Sequence, residues 1–583
     1  MWPSRTVMGN RATFAKFTYF EEGRPWWEWH QIGLRRVATP LTITLAFVAT
    51  HNHFILDRGG KVFNRSAPVI KLPEDASEDD HLGLLGLLNS STTCFWLKQI
   101  FHNKGSTVDQ HGARQRTDAF EDFYEFTGTG LATFPVATER PLAIARTLDR
   151  LATDRVAHLP AALFSRGVPT RAELDETREQ AEHTRQRMIA WQEELDWQVY
   201  HLYGVQNDDL TYPGEPPEIS FGERAFEILL ARDMFAGNVN TTWFERHNAL
   251  PITKIPVDWP EDYRALVEQR IEAIRSNRDL ALIERPECKR RWSSTSWAEL
   301  ERTALENWLL DRLEGADLWP RDAQPAPRML SSRDMSEALA HDEEFRRALD
   351  LYAGIGSDAG AKVAALVQSA SVPFLDVLRY SDTGLRKRAM WLSTWTAQRR
   401  EDALDAAVAH EWAGRPQEDT AKEQKRRKAE QVGAIPVPPK YRSEDFRDGT
   451  FWKLRGALDV PKERFISYPG LQRGNDAGVP LVLWAGYDAK ARALALTTHI
   501  YELQQREGAD GTRLAPALAG LDELLPWVHQ WHPEIDAELG ATTGDYLQGL
   551  LDDQIARHGL TLAELRAWAP VALAARRRRN AVA

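Results

Sequence analysis

Apolar and polar positions are most informatively arranged between Phe47 and Ile100. A β-like run, Phe47-Val-Ala-Thr-His-Asn-His-Phe-Ile-Leu56, leads into Asp57-Arg58-Gly59-Gly60, and Lys61-Val62-Phe63 and Ala67–Pro73 follow. Paired glycines supply the positive φ of a tight turn, so the spacing predicts a hairpin around them. A helix over Leu82–Ile100 comes next. Ser77-x-x-Asp80 offers a capping box for it, and Leu82, Leu85, Leu88 and Phe95 form an apolar side that the polar stretch Asn89–Thr93 interrupts.

Downstream the period changes from two to between three and four. Pro141–Leu159 reads as a helix. Thr170-x-x-Glu173 then opens a second capping box, and Leu174, Ala181, Met188, Leu195 and Leu202 recur every seven residues up to Gly204, a C-terminal cap candidate. The stretch predicts one helix of about 50 Å, at ~1.5 Å per residue. Thr177 and Thr184 break its seam, which favours an intramolecular helical hairpin over a dimer zipper.

Gln206–Pro217 reads as a linker, and Ile219–Trp319 as mainly helical, with helices over Phe221–Met234, Pro260–Glu284 and Trp297–Leu313. After the Pro- and Ala-rich break Arg321–Met329, Ser336–Ala413 is again helical, and Gln417–Gln431 is charge-dense and solvated. Beyond Pro436-Val-Pro-Pro439, Phe465–Pro469 and Leu481–Ala485 read as strands. Helices follow over Ala489–Glu507, Leu514–His532 and Asp545–Gly559, and the basic tail Arg576–Arg579 is expected to be disordered.

A chain of 583 residues is too long for one core. Apolar residues at 43% and charged residues at 27% match a soluble globular protein, and no signal peptide or long uncharged apolar run is evident, so cytoplasmic placement and no membrane contact are the expectation. Only two cysteines, Cys94 and Cys288, exclude a disulfide framework and an all-cysteine zinc site. The net charge of −11 excludes a uniformly basic surface, yet a local cleft can still be basic. The 21 tryptophans point to large cores.

Several short patterns carry candidate chemistry. On a strand His51 and His53 would share a face, but no further ligand follows at metal spacing, so packing or DNA contact is the better reading and no metal is expected. The polar loop Phe101–Asp118 carries His102, Lys104, Arg114, Gln115 and Arg116 beside glycines; such side chains suit phosphates and base edges. Lys98 lies on the helix turn before that loop. Glu287-Cys288-Lys289 has the Glu-x-Lys of nuclease cores without the strand context, and Lys289-Arg290-Arg291-Trp292 is a candidate phosphate-contacting patch. Phe126-Thr-Gly128-Thr-Gly130 fits the F-x-G-x-G form of methyltransferase cofactor loops. The acidic run Phe120–Glu125 before it is not the buried strand such a loop needs.

The run HNHFILDRGGKVFNRSAPVIKLP…LLGLLNSSTTCFWLKQ resembles the target-recognition region of adenine-specific DNA methyltransferases, and most of all the PglX family of type 2 BREX (phage growth limitation) systems. LDWQVYHLYGV is similar to the ending of the long helix in that group. The resemblance reaches to about Pro570 and covers the C-terminal, target-recognition half of the family. It implies an α+β chain: a small mixed α/β target-recognition domain (residues 1–140), a helical hairpin (141–205), a mainly helical domain (206–435) and a C-terminal α/β module with a disordered basic tail (436–583).

The implied function is DNA target recognition for a site-specific adenine-N6 methyltransferase in phage defence of the restriction–modification kind. Double-stranded DNA would be the partner, together with a catalytic half and other BREX proteins. The DNA-contacting residues would be His51, His53, Lys98, His102, Lys104, Arg114, Gln115 and Arg116. No Asn-Pro-Pro-aromatic tetrapeptide, which holds the flipped adenine in that family, occurs here. No catalytic residue or cofactor site is therefore expected in this chain, and S-adenosylmethionine belongs to the full-length family. The Trp- and Arg-rich Met1–Thr39 is read as the interior of a longer polypeptide or the start of a split one. The alternative function is a scaffold subunit that docks other defence components; an autonomous nuclease is the weaker third reading.

Overall fold

In the computed structural model, which describes residues 1–30, 40–105, 118–292, 295–321, 326–354, 356, 358–471 and 481–570, small sheets are set among helices in an α+β arrangement. The chain divides into two compact units, one of residues 32–304 and one of residues 1–31 with 305–583.

The 32–304 unit begins with Thr42–Leu45 (β1), buried at every position. After Val48–Ala49 (β2) comes Phe54–Asp57 (β3), which pairs antiparallel with β1 from Thr42↔Asp57 to Leu45↔Phe54. Val69–Ile70 (β4) takes the other edge of β1. The hairpin expected around Gly59-Gly60 therefore does not form. Both glycines do take positive φ, 98° and 79°, and turn the chain. Lys61–Phe63 is not a strand, because Val62 remains exposed and offers no apolar face. Ile43, Leu45, Phe54 and Leu56 instead pack with Leu82, Leu84 and Leu88. A second sheet joins β2 to Phe123–Glu125 (β6) and Asn103–Gly105 (β5).

The helix expected over Leu82–Ile100 is two helices, Glu78–Leu88 (α1) and Ser91–Ile100 (α2). The Ser77/Asp80 capping box starts the first, and Ser90 starts the second by accepting the Thr93 amide at 3.2 Å. The polar interruption is a helix boundary, not a flaw in a stripe. Leu142–Ala157 (α3) packs against Arg171–Leu202 (α4), the long helix, which opens with the Thr170/Glu173 box and ends before Gly204 at φ 66°. Ala225–Phe235 (α5) follows. The segment expected as one helix over Pro260–Glu284 is split into Glu261–Ser276 (α6) and Arg278–Ile283 (α7), because the Asn277 side chain caps the second. Trp197, Tyr200, Trp243, Trp259 and Tyr263 fill the core around these helices.

In the other unit, Leu330–Ser331 (β7), Ser371–Pro373 (β8), Phe465–Tyr468 (β9) and Leu481–Trp484 (β10) form one sheet in the order β7-β10-β9-β8. Only the β8–β9 pair is parallel. Its long helices are Asp382–Glu411 (α8), Gln417–Gln431 (α9), Ala489–Glu507 (α10), Gly511–Trp531 (α11) and Thr543–His558 (α12). The charge-dense α9 buries no residue, as its composition implies.

Candidate nucleic-acid interface

The Leu-Leu-Asn-Ser-Ser segment between α1 and α2 acts as a clamp. Asn89 Oδ1 accepts the Phe54 amide and Asn89 Nδ2 donates to the Phe54 carbonyl, both at 3.0 Å, so one side chain grips β3 as a neighbouring strand would. Asn52 Nδ2 answers from the other side, donating to the Leu88 and Ser90 carbonyls at 2.8 and 2.9 Å. Ser91 gives its amide (2.8 Å) and its hydroxyl (2.6 Å) to the Asp196 carboxylate on α4. The His51-Asn52-His53 turn is thereby fixed by residues more than thirty positions away.

Asp196 also receives Lys289. The Lys289 ammonium is fully buried, 2.9 Å from Asp196 Oδ2, 2.9 Å from Glu284 Oε1 and 3.1 Å from Glu193 Oε1. Burial alone would lower its pKa; the three carboxylates outweigh that and raise it. Surplus negative charge falls on Glu193, whose carboxyl is pushed up to about 7, chiefly by burial. Lys289 thus has no access to a phosphate, and the first member of the expected Lys289–Trp292 patch is an internal counterion. The same placement takes it out of any Glu-x-Lys nuclease arrangement.

Arg290 and Arg291 emerge from this anchor. Arg290 donates to His53 Nε2 at 3.2 Å and to Asn89 Oδ1 at 3.4 Å, and its guanidinium lies 5.1 Å from the Trp292 ring centre. Among the described residues it has no carboxylate within 4 Å, and burial lowers its pKa to about 10. Arg291 donates to His247 Nε2 at 3.2 Å and faces Glu121 at 3.8 Å. Lys98 belongs to the same neighbourhood. Its ammonium is shielded without a hydrogen-bond partner, 5.0 Å from the Tyr124 ring centre.

Three imidazoles sit among these cations, and all are held neutral. His51 is buried, with Nε2 3.4 Å from the Pro286 carbonyl, and its pKa is pulled well down by burial and then by the charges of Lys98 and Arg291. Arg290 is the largest influence bringing exposed His53 to about 4, and burial brings His247 to about 4. His51 and His53 do not share a strand face. They occupy the turn between β2 and β3, one buried and one exposed, because Asn52 is drawn inward by its two bonds. Among the described residues no group of three His, Cys, Asp or Glu side chains could hold a metal ion.

The other loop candidates lie just before, on or beyond β5. His102 and Lys104 are exposed, and Lys104 is already paired with Glu125, whose carboxylate is lowered by that contact. Arg114, Gln115 and Arg116 lie outside the described residues. In the F-x-G-x-G stretch, Phe126 is buried, and a side chain at Gly130 would strike the Phe101 ring. The glycine there answers to packing. Arg290, in contact with both His53 and Asn89, is the residue that sequence reasoning kept apart from this surface; its signal was the basic cluster itself.

A family model for the Domain of unknown function DUF7008 matches residues 188–580. The chain belongs to the DUF7008 family. Within the DUF7008 match lie Asp196, Glu284, Lys289, Arg290 and Arg291, whereas the clamp of Asn52, Asn89 and Ser91 precedes it. The chain is also similar to the adenine-specific methyltransferase PglX of Streptomyces coelicolor, 46% identical over 584 residues, which cover 99% of this chain and 46% of that protein. It thus spans about half the length of that curated relative. The likeness read from residues 51–100 extends over nearly the whole chain. No solved structure matches. Among the described residues no helix is long and apolar enough to cross a membrane.

Proposed function

We propose that this chain is the DNA target-recognition half of a site-specific adenine-N6 DNA methyltransferase of a BREX phage-defence system in the bacterial cytoplasm. The methyl transfer, with S-adenosylmethionine, is then performed by a catalytic half that the chain itself does not provide. The observation that carries this reading is the Arg290 guanidinium, without a carboxylate within 4 Å among the described residues, beside Arg291 and Lys98 and set among neutral imidazoles. Similarity to a methyltransferase named adenine-specific supports it. Double-stranded DNA offers the complementary charge: guanidinium groups pair with phosphates, or bidentately with guanine. His53, exposed and neutral, can donate or accept at a base edge. His102, Lys104 and the Arg114–Arg116 segment are proposed as further contacts.

The test is duplex binding by the full chain, followed by fluorescence anisotropy across a salt series, with a complementing catalytic half added where one is available. Replacing Arg290 or Arg291 by Ala should lower the slope of log K against log salt by about one for each phosphate that the arginine neutralises. A base-reading arginine should instead cost roughly 1–3 kcal/mol on the cognate site and relax preference there. A folded Arg290→Ala/Arg291→Ala variant with wild-type affinity and slope would overturn the placement. A wild-type chain with no duplex affinity under either condition would favour the scaffold reading.

A further inference from the structure

A cavity of about 730 Å³ lies wholly within the unit of residues 1–31 and 305–583. Small-molecule sites span roughly 300–1,000 Å³. The walls are aromatic, with Trp391 and Trp395 from α8, Trp527 from α11, and Trp2; the rings of Trp395 and Trp527 meet edge to face with centres 5.3 Å apart. Four guanidinium groups also line it, those of Arg379, Arg388, Arg455 and Arg492.

Three of the four are matched by acids. Arg388 Nε donates to Asp376 Oδ2 at 2.7 Å, Arg379 stands 3.6 Å from Asp459, and Arg455 pairs with Glu463 and lies 3.4 Å from Asp459. Arg492 is different. One Nη donates to the Ala485 carbonyl at 2.7 Å, its Nε is shielded and bonds to nothing, and among the described residues no carboxylate lies within 4 Å. Burial pulls its pKa down; Glu463 and Asp488 offset this only from a distance, and Arg455 opposes it. Arg455 Nε and the Tyr487 hydroxyl are two more shielded polar groups without partners in the same lining. Burial, and then the nearby Asp376, push the Glu523 carboxyl up to about 8.

Arg492, a guanidinium with no carboxylate within 4 Å among the described residues, stands in a lining whose aromatic wall suits a planar ring, so the cavity suits an anionic group attached to such a ring. Arginine forks match phosphate oxygens bidentately. Indole faces stack on any nucleobase. We infer that this cavity binds a nucleoside monophosphate group, with its base against the tryptophan wall and its phosphate on Arg492. Tyr487 and Glu523 then offer hydrogen bonds to sugar hydroxyls or a base edge. The group has two possible sources, a free mononucleotide or the 5′-phosphorylated end of a strand. This assignment uses residues independent of Arg290 and Arg291.

Isothermal titration of the full chain with AMP, adenosine and inorganic phosphate, with a 5′-phosphorylated hexanucleotide as competitor, tests the inference. AMP should bind once per chain, and adenosine and phosphate at least tenfold more weakly. Arg492→Ala should weaken AMP at least tenfold while circular dichroism and melting stay unchanged. Competition by the phosphorylated hexamer but not by its unphosphorylated form would assign the strand end; lack of competition would assign the free nucleotide, and both keep the site. Hydrogen exchange supplies a readout that does not depend on the variant folding: AMP should protect residues 374–395 and 487–531. Absence of binding at millimolar AMP and hexamer, protection elsewhere, or wild-type affinity in a folded Arg492→Ala variant would overturn it.

Discussion

Replacing Lys289 by Met should be among the most damaging single changes in the 32–304 unit. Methionine has nearly the same length and would fill the space, so the effect isolates charge. The ammonium is the shared counterion of Asp196, Glu193 and Glu284, all within 3.1 Å of it and all buried. Removing one partner from a buried ionic cluster costs about 3–5 kcal/mol, since the remaining charges stay desolvated. At roughly 2–4 °C per kcal/mol for a unit of this size, the melting transition of that unit should fall by about 6–20 °C. Arg290→Met is the matched control: its guanidinium has no acid to abandon, so its loss should cost under about 1 kcal/mol. Adding Glu284→Gln to Lys289→Met removes one stranded carboxylate and should recover part of the loss, a coupling that a double-mutant cycle reads directly. Differential scanning calorimetry at pH 7.5 measures all five proteins, the single Glu284→Gln variant of the cycle included. A Lys289→Met transition within 2 °C of wild type would refute the reasoning.

Two further outcomes follow from the same region. Glu193 has a folded pKa raised from 4.5 to about 7, so the folded state binds the extra proton and its contribution to stability is greatest below pH 4.5 and is lost as pH rises to about 7. Glu193→Gln should therefore flatten the pH dependence of unfolding across that window and stabilise the protein at pH 8; an unchanged urea-denaturation profile from pH 4.5 to 8 would count against it. Asn89→Ala removes both bonds to the Phe54 backbone and should cost about 1–3 kcal/mol by leaving those groups unpaired, and faster amide exchange at Phe54 would localise the loss; unaltered exchange there would contradict the clamp.

What the sequence made legible was local. The Ser77/Asp80 and Thr170/Glu173 boxes involve partners three residues apart, and both form. The long α4 helix follows from its spacing and its closing glycine. The helix break at Asn89-Ser90 was visible as a polar interruption, but its meaning depends on Asn52, Phe54 and Asp196, which no window of the chain contains. Lys289 looked like part of a basic patch for the same reason: its acids at positions 193 and 196 lie more than ninety residues upstream. Strand β1 pairs with both of its neighbours, yet its four residues carry no turn signal that would announce it. The hairpin reading placed the glycines correctly and the partner strand wrongly, because pairing is decided by which apolar faces can be buried together.

The Asp196 carboxylate has a bearing on how segments can be exchanged between related proteins. It holds the start of α2 through Ser91 and, through Lys289, the segment that presents Arg290 and Arg291. A segment transplanted with boundaries drawn at residues 40 and 140 would arrive without the acid that its serine expects, and the host acid would meet a foreign helix start. Chimeras that carry residues 40–292 as one cassette keep both attachments. Swaps of shorter pieces between homologues are tolerable only where the serine, the aspartate and the lysine are identical in donor and recipient.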